Sequence, residues 1–221
     1  MECDVKIPGG PPPAKARGKA GSRGTRRARQ PARLPARLKA AAARPITLIG
    51  LMGVGKTSIG KRLAAQLGLP FVDADAEIEL ACGMTIAEIF ARFGEAHFRD
   101  GERRVIARLI DGAPKVVATG GGAFMAEDTR TLILERSHAV WIDADIPTLV
   151  ERVGKRDTRP LLRGRDPAEV LAELARVRNP VYAQAPIHVT SSDGPHGQTV
   201  DRIIDALAAA NGTKDAPKDD R

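Results

Sequence analysis

The sequence predicts an α/β fold in which a parallel β-sheet is covered by helices on both faces. Three observations support this prediction. From residue 45 onward, short β-branched segments alternate with longer segments of helical periodicity. The first apolar segment leads directly into a glycine-rich loop that opens a helix. Acidic or glycine-rich stretches follow several apolar segments, and the carboxyl ends of parallel strands are where such sheets bind ligands.

The first three elements are predicted from local pattern. Residues 46–49 (Ile-Thr-Leu-Ile) are apolar and β-branched, which indicates a buried strand. A helix is predicted over residues 58–67, because apolar residues recur every fourth position from Ile59 to Leu67. Residues 69–73 (Leu-Pro-Phe-Val-Asp) predict a short strand that ends in an acid.

Two helices separated by a glycine are predicted next. Thr85 and Glu88 have the spacing of a capping box at the start of the first helix, and Gly94 ends that helix. The second helix runs from about residue 95 to residue 110. Residues 116–119 (Val-Val-Ala-Thr) then form a buried strand that runs into three glycines.

The carboxyl-terminal third continues the alternation. Asp145 and Asp166 are expected to be N-caps, because a proline follows each of them in the first turn. The predicted elements are a helix over 128–136, a strand over 139–142, a helix after Asp145, a helix from Asp166 to about Arg178, a strand over 187–190 and a closing helix around 200–207.

The basic charge of the chain is concentrated at its amino-terminal end. The first 44 residues carry twelve Lys or Arg and two acids, a balance of +10, which leaves −2 of the overall +8 for the rest. This segment has almost no large apolar residues, so we predict that it is disordered. We expect a disordered arm over 1–44, a folded domain over 45–212 and a polar tail over 213–221.

Composition argues against several classes of protein. The arm has no apolar core of a secretory signal, and no run of eighteen apolar residues predicts a membrane span. Of the two cysteines, Cys3 lies in the arm, so we expect no disulfide, which suits a reducing cytoplasm. We also expect the protein to be a monomer. The near-neutral body gives no reason to bind nucleic acid. For the arm, weak nucleic-acid contact, a transit peptide and an over-extended start remain open.

Residues 50–57 match the phosphate-binding loop pattern G-x-x-x-x-G-K-[ST] between a strand and a helix. Glycines allow backbone N–H groups to surround phosphate oxygens, and the helix N-terminus adds partial positive charge. A lysine in the last part of the loop reaches the outer phosphates, and the next hydroxyl can bind Mg²⁺. The residues expected to bind nucleotide here are Gly53, Val54, Gly55, Lys56, Thr57 and Ser58.

Two acids, Asp73 and Asp75, stand one residue apart at the end of the second predicted strand. One carboxylate can serve the Mg²⁺ hydration shell while the other faces an acceptor hydroxyl. The alternative is that they cap the helical segment that follows.

Four further groups carry candidate binding residues. Arg99 and Glu102 share a helix face. They form either a surface ion pair or a pair in which the glutamate holds the arginine ready for a substrate carboxylate. Glycines 120–122 follow a buried strand, where backbone can approach a ligand closely. Residues 155–165 contain five cations. This segment forms either a solvated loop or a lid in which Arg159 reaches the transferred phosphoryl group. Arg178 ends the next helix and can face the same cleft.

The ordered set of motifs resembles the shikimate kinase family over residues 45–221. The motifs are G-x-x-G-x-G-K-T, F-x-D-x-D, F-R-x-x-E, T-G-G-G, R-P-L-L and R-x-P-x-Y. The resemblance implies a three-layer P-loop kinase fold with five parallel strands, a mobile helical segment and a mobile lid. It implies phosphorylation of shikimate by ATP with Mg²⁺, on the way to aromatic amino acids. Ala74 departs from the Ser or Thr that family members often carry between the two aspartates.

The resemblance also implies roles for individual residues. Catalysis would fall to Lys56, Asp75 and Arg159, and the metal to Thr57 and Asp73. The nucleotide would contact the loop residues, Arg152 and Arg159. Shikimate would contact Asp75, Arg99, Gly120, Gly121, Gly122 and Arg178.

Two other classes of function remain open from the residues alone. A related kinase of the gluconate or nucleoside monophosphate type would share the phosphate loop, but it would leave the paired arginines and the triple glycine unexplained. A nucleotide switch or a nucleic-acid-binding protein would need no acceptor site. The sequence contains no N-K-x-D motif for guanine recognition, which argues against a GTPase.

Overall fold

In the computed structural model the chain forms a five-stranded parallel sheet with helices on both faces. The structure describes residue 41, residues 43–154, residues 165–191 and residues 196–212. The strands are β1 (Ile46–Ile49), β2 (Phe71–Asp73), β3 (Val116–Ala118), β4 (His138–Asp143) and β5 (Ile187–Thr190). Their order across the sheet is β2-β3-β1-β4-β5. This confirms the predicted fold class.

Seven helices connect and follow these strands within the described ranges. They are α1 (Lys56–Leu67), α2 (Ala74–Cys82), α3 (Ile86–Ile110), α4 (Glu127–Arg136), α5 (Ile146–Gly154), α6 (Pro167–Tyr182) and α7 (His196–Gly212), with a short 3₁₀ turn at Ala123–Met125. In the described part of the chain, no helix is long and apolar enough to cross a membrane.

The central strands are hydrophobic on both faces, which is what a sheet covered by two helical layers requires. All four residues of β1 are buried, and so are all three of β3. β1 pairs with β3 on one side and with β4 on the other, so its carboxyl end lies in the middle of the sheet edge. The loop that follows β1 is therefore surrounded by the loops that follow its neighbours.

The local signals in the sequence set the helix ends. Thr85 and Glu88 form the predicted capping box, with Thr85 Oγ1 accepting from the Glu88 N–H at 3.2 Å. Asp145 and Asp166 accept from backbone N–H groups at the starts of α5 and α6. Gly94 has φ 79° and ψ 174°, so it interrupts α3 where the predicted break lies. The left-handed φ suits glycine, because a Cβ would strain that conformation.

Several element boundaries differ from the sequence prediction. Helix α1 begins at Lys56 rather than residue 58. Strand β2 begins at Phe71 rather than residue 69, because Pro70 has no N–H to donate. Helix α6 continues past Arg178 to Tyr182, with Pro180 inside it. At the other end, Ala41 is buried, and Arg44 Nη2 donates to the Glu135 carbonyl at 2.6 Å. Contact with the folded body therefore reaches back into the predicted arm.

Candidate active site

The phosphate-binding loop lies between β1 and α1, as predicted. Gly53 and Gly55 adopt φ of 88° and 95°, conformations that L side chains rarely take. Lys56 is the first residue of α1, and its Nζ donates to the carbonyls of Gly50 at 2.8 Å and Leu51 at 3.0 Å. The ammonium group is thus held beside the loop and the helix N-terminus, where an anion is favoured.

Helix α5 and the end of β5 border this loop. A Cβ added to Gly53 would lie 2.9 Å from Val153 Cγ1, so the helix packs directly against the loop backbone. Arg152 Nη1 donates to Ser191 Oγ at 3.2 Å and lies 3.5 Å from the Val54 carbonyl oxygen. The structure therefore places Arg152 next to the loop, on the side formed by β5.

The two aspartates have different partners. Thr57 Oγ1 donates to Asp73 Oδ2 at 3.1 Å, so the hydroxyl and carboxylate predicted to serve Mg²⁺ lie together. Asp73 Oδ1 also accepts from the Asp75 N–H at 3.2 Å and caps α2. Asp73 therefore caps one helix, as the capping alternative has it, and faces another through Thr57, while its role toward Mg²⁺ remains a prediction.

Asp75 lies two residues further, in the first turn of α2, and it is mostly buried. Burial raises the pKa of its carboxyl group above the ordinary value, and the charge of Asp73 adds to this effect. The nearby cations Lys56 and Arg99 oppose the rise but do not cancel it. A carboxylate in this condition has more affinity for a proton than an exposed aspartate has.

The triple glycine is where the predicted acceptor-binding residues meet. Its φ angles lie outside the left-handed range, so glycine is required by space rather than by conformation. Each glycine leaves room for a different charged side chain. A Cβ would lie 2.7 Å from Asp75 Oδ1 at Gly120, 3.1 Å from Arg178 Nη1 at Gly121, and 2.6 Å from Arg99 Nη2 at Gly122. Three charges from three helices therefore converge on one turn.

The position of this turn is set by β1 and by α6. Thr119 is buried and its Oγ1 donates to the Leu48 carbonyl at 3.1 Å, which ties the turn to the central strand. The Tyr182 hydroxyl donates a short hydrogen bond to the Gly121 carbonyl. The turn is thus fixed from two sides. It lies next to Gly50, the first residue of the phosphate-binding loop, because a Cβ added to Gly121 would be 3.6 Å from the Gly50 carbonyl oxygen.

Two carboxylates hold Arg99. Its Nη1 donates to Glu102 Oε2 at 2.7 Å, and its Nε and Nη2 donate to Glu95 Oε1 at 3.3 and 3.2 Å. Burial raises the pKa of Glu102, and Arg99 opposes that rise. Burial lowers the pKa of Arg99, but its hydrogen bonds and charge interactions with both glutamates outweigh that effect. The pKa of Arg99 is therefore raised overall, and the guanidinium stays charged. Both pKa values are therefore raised: burial decides the direction for Glu102, whose side chain is only 2% exposed, and the two glutamates decide it for Arg99, whose side chain is 27% exposed.

Sequence reasoning missed two residues of this site. Glu95 was not assigned, although its four-residue spacing from Arg99 is a signal for an ion pair. Tyr182 appeared only as the end of a motif, and no local pattern shows that its hydroxyl reaches Gly121, 61 residues away. Arg159 and the rest of its cation-rich loop, apart from Arg165, lie outside the described residues, so the predicted contact of Arg159 with phosphates remains a prediction.

Comparison with known proteins finds relatives that are similar in sequence and in fold. The shikimate kinase family profile matches residues 52–208. A shikimate kinase from Zymomonas mobilis is 60% identical over 164 residues, covering 74% of this chain and 93% of that protein. A shikimate kinase from Acinetobacter baumannii, solved in complex with shikimate, is 33% identical with a TM-score of 0.69, covering 81% of this chain and 99% of the other. A gluconokinase from Sinorhizobium meliloti shares the fold alone. It is 18% identical with a TM-score of 0.53, and the match covers 78% of this chain and 96% of the gluconokinase chain.

Proposed function

The chain belongs to the shikimate kinase family, and we propose that it transfers the γ-phosphoryl group of ATP to shikimate, giving shikimate 3-phosphate and ADP. One observation carries the choice of acceptor. Asp75, Arg99 and Arg178 converge on the triple glycine next to the phosphate-binding loop. Two arginines and a carboxylate complement a molecule that carries one carboxylate and three hydroxyls.

The donor half of the reaction belongs to the phosphate-binding loop. Loop N–H groups and the N-terminus of α1 surround the phosphates, and Lys56 exchanges its carbonyl partners for phosphate oxygens. Phosphoryl transfer depends chiefly on positioning and on neutralising charge, so a lysine fixed at this point lowers the barrier. Arg152 borders the nucleotide side of the loop, and Arg159 reaches the phosphates from the lid; both roles are proposed from the family resemblance.

The acceptor half belongs to the turn after β3. Arg99 and Arg178 hold the shikimate carboxylate, which fixes the ring and aims a hydroxyl toward the phosphates. Asp75 accepts the hydrogen bond of that hydroxyl, and its raised pKa suits it to take the proton as the bond to phosphorus forms. The glycines bring the turn close enough for its backbone to line the pocket.

Thr57 and Asp73 fit a magnesium site. They offer a hydroxyl and a carboxylate oxygen 3.1 Å apart, and Mg²⁺ prefers a few such oxygen ligands together with water and phosphate. In the described ranges no cluster of three His, Cys, Asp or Glu side chains forms a complete protein-only metal site, which agrees with that mode of binding. When bound, Mg²⁺ would neutralise charge on the phosphate oxygens.

One assay tests the proposed function. ADP release is coupled to NADH oxidation, and shikimate, gluconate and nucleoside monophosphates are compared as acceptors. We expect turnover with shikimate only. Equal or faster turnover with gluconate or a nucleotide would reject the proposal in favour of the related kinases. Action in the cytoplasm as a monomer remains a prediction from composition, to be tested by fractionation and by sedimentation.

A further inference from the structure

Arg99 meets Glu95 through the edge that arginine uses to bind carboxylates side-on. The Glu95 Oε1 oxygen lies 3.3 Å from Nε and 3.2 Å from Nη2, so it accepts from both N–H groups of that edge. Glu102 occupies Nη1 at 2.7 Å. The Nη2, Nη1 and Cζ atoms of the guanidinium lie against Gly122, where a Cβ would be 2.6 to 2.9 Å away from them. The Nε–Nη2 edge is therefore the part of Arg99 that a glutamate from its own helix holds.

The two glutamates differ in how firmly they are placed. The Glu102 side chain is 2% exposed and is fixed inside the protein, whereas the Glu95 side chain is 69% exposed. Glu95 also lies next to Gly94, where α3 departs from helical geometry. A solvent-exposed ion pair contributes little free energy, so Glu95 can be displaced from the guanidinium, and Glu102 cannot.

We propose that Glu95 is a specificity-determining residue that competes with the acceptor carboxylate for the Nε–Nη2 edge of Arg99. This inference rests on the proposed role of Arg99 in acceptor binding. A carboxylate on the acceptor displaces the single Glu95 oxygen that accepts from both Nε and Nη2 of Arg99. Its two oxygens then accept one hydrogen bond each, in parallel, from the same two groups. An acceptor that lacks a carboxylate has no group with which to displace Glu95.

The proposal predicts an unusual direction of effect. Glu95→Gln keeps the size of the side chain and removes its charge, so the competitor for Arg99 is weakened. The KM for shikimate should fall by about two- to fivefold, which corresponds to the free energy of an exposed ion pair. The kcat and the KM for ATP should stay within error, because Glu95 contacts neither the nucleotide site nor Asp75 in the described contacts.

A matched control lies on the same helix. Asp100 is also exposed and pairs with Arg103 at 3.0 Å and Arg104 at 3.1 Å rather than with Arg99. Asp100→Asn therefore removes one surface charge from α3 and should leave the KM for shikimate unchanged. Glu95→Ala serves as a second variant, with folding of each protein verified by circular dichroism and thermal unfolding.

The outcomes separate this inference from the function on which it rests. In an Arg99→Lys background, Glu95→Gln should lose most of its effect, because the fork for which Glu95 competes is gone. A shikimate KM that is unchanged or raised in Glu95→Gln would overturn the inference, since Glu95 would then be a spectator or an orienting partner of Arg99. If Arg99→Lys itself leaves the shikimate KM unchanged, the proposed role of Arg99 fails as well.

Discussion

Replacing Gly122 with alanine should damage acceptor binding while leaving the fold intact. The backbone at Gly122 has φ −95° and ψ −17°, which alanine adopts without strain. The added Cβ, however, would lie 2.6, 2.8 and 2.9 Å from three atoms of the Arg99 guanidinium. These atoms are the far end of a flexible side chain, so the protein relieves the overlap by moving Arg99 rather than by unfolding.

The size of the effect follows from that displacement. To restore ordinary contact at 3.4 Å, the guanidinium must retreat by about 0.8 Å from its 2.6 Å approach. A shift of this size disrupts the 2.7 Å bond to Glu102 and misdirects the fork that binds the acceptor carboxylate. Loss of one charge-assisted hydrogen bond costs about 1.5–3 kcal/mol, so the KM for shikimate should rise by about 10- to 150-fold.

The assay is steady-state ADP release at saturating ATP with shikimate varied, together with thermal unfolding of each variant. Gly101→Ala is the matched control, because Gly101 lies on the same helix as Arg99 and a Cβ there meets no atom within 4 Å. That variant should keep the parent KM and gain up to about 1 kcal/mol of stability from helix propensity.

A Gly122→Ala enzyme with a parental KM for shikimate would contradict the expected displacement of Arg99. That result would mean either that the guanidinium tolerates the methyl group where it stands or that Arg99 does not bind the acceptor. A large drop in the unfolding temperature would instead show that the turn cannot yield, and the reasoning about a flexible side-chain end would be wrong.

Four further predictions use the same assay. Lys56→Ala should lower kcat by about 10³-fold or more with unchanged far-UV circular dichroism, because its ammonium meets developing phosphate charge; turnover within a few-fold of the parent would contradict it. Asp75→Asn should lower kcat by about 10²-fold or more and leave ATP affinity by calorimetry unchanged. Asp75→Asn should also raise the unfolding temperature at neutral pH, because the buried carboxylate, whose pKa is raised in the folded state, destabilises the fold when it is ionised. This gain in unfolding temperature should vanish as the pH falls below the ordinary Asp pKa, where the aspartate is protonated in both the folded and the unfolded state. Arg178→Lys should raise the KM for shikimate by about tenfold, since a point charge replaces a planar fork, and an unchanged KM would remove Arg178 from the acceptor site. Deleting residues 1–40, which keeps buried Ala41, should leave kcat and both KM values unchanged while abolishing any retention on nucleic acid at low salt; loss of activity in a folded truncation would contradict it.

Local signals in the sequence were enough for much of the fold. The capping box at Thr85 and Glu88, the N-caps at Asp145 and Asp166, and the break at Gly94 all appear where expected. These features depend on a few neighbouring residues, so spacing alone determines them. Element boundaries were less accurate, because packing decides them. Helix α6 continues through Pro180 since Tyr182 is buried and bonded to the turn after β3.

The phosphate-binding loop is the part of the site that the sequence determined by itself, because eight consecutive residues supply both its shape and its chemistry. The convergence of Asp75, Arg99 and Arg178 on the triple glycine was decided only by the tertiary structure. Those residues belong to three helices, and the strand order β2-β3-β1-β4-β5 is what brings their ends to one edge of the sheet. Sequence spacing carries no information on that order, since it results from how the helices bury their apolar faces against both sides of the sheet.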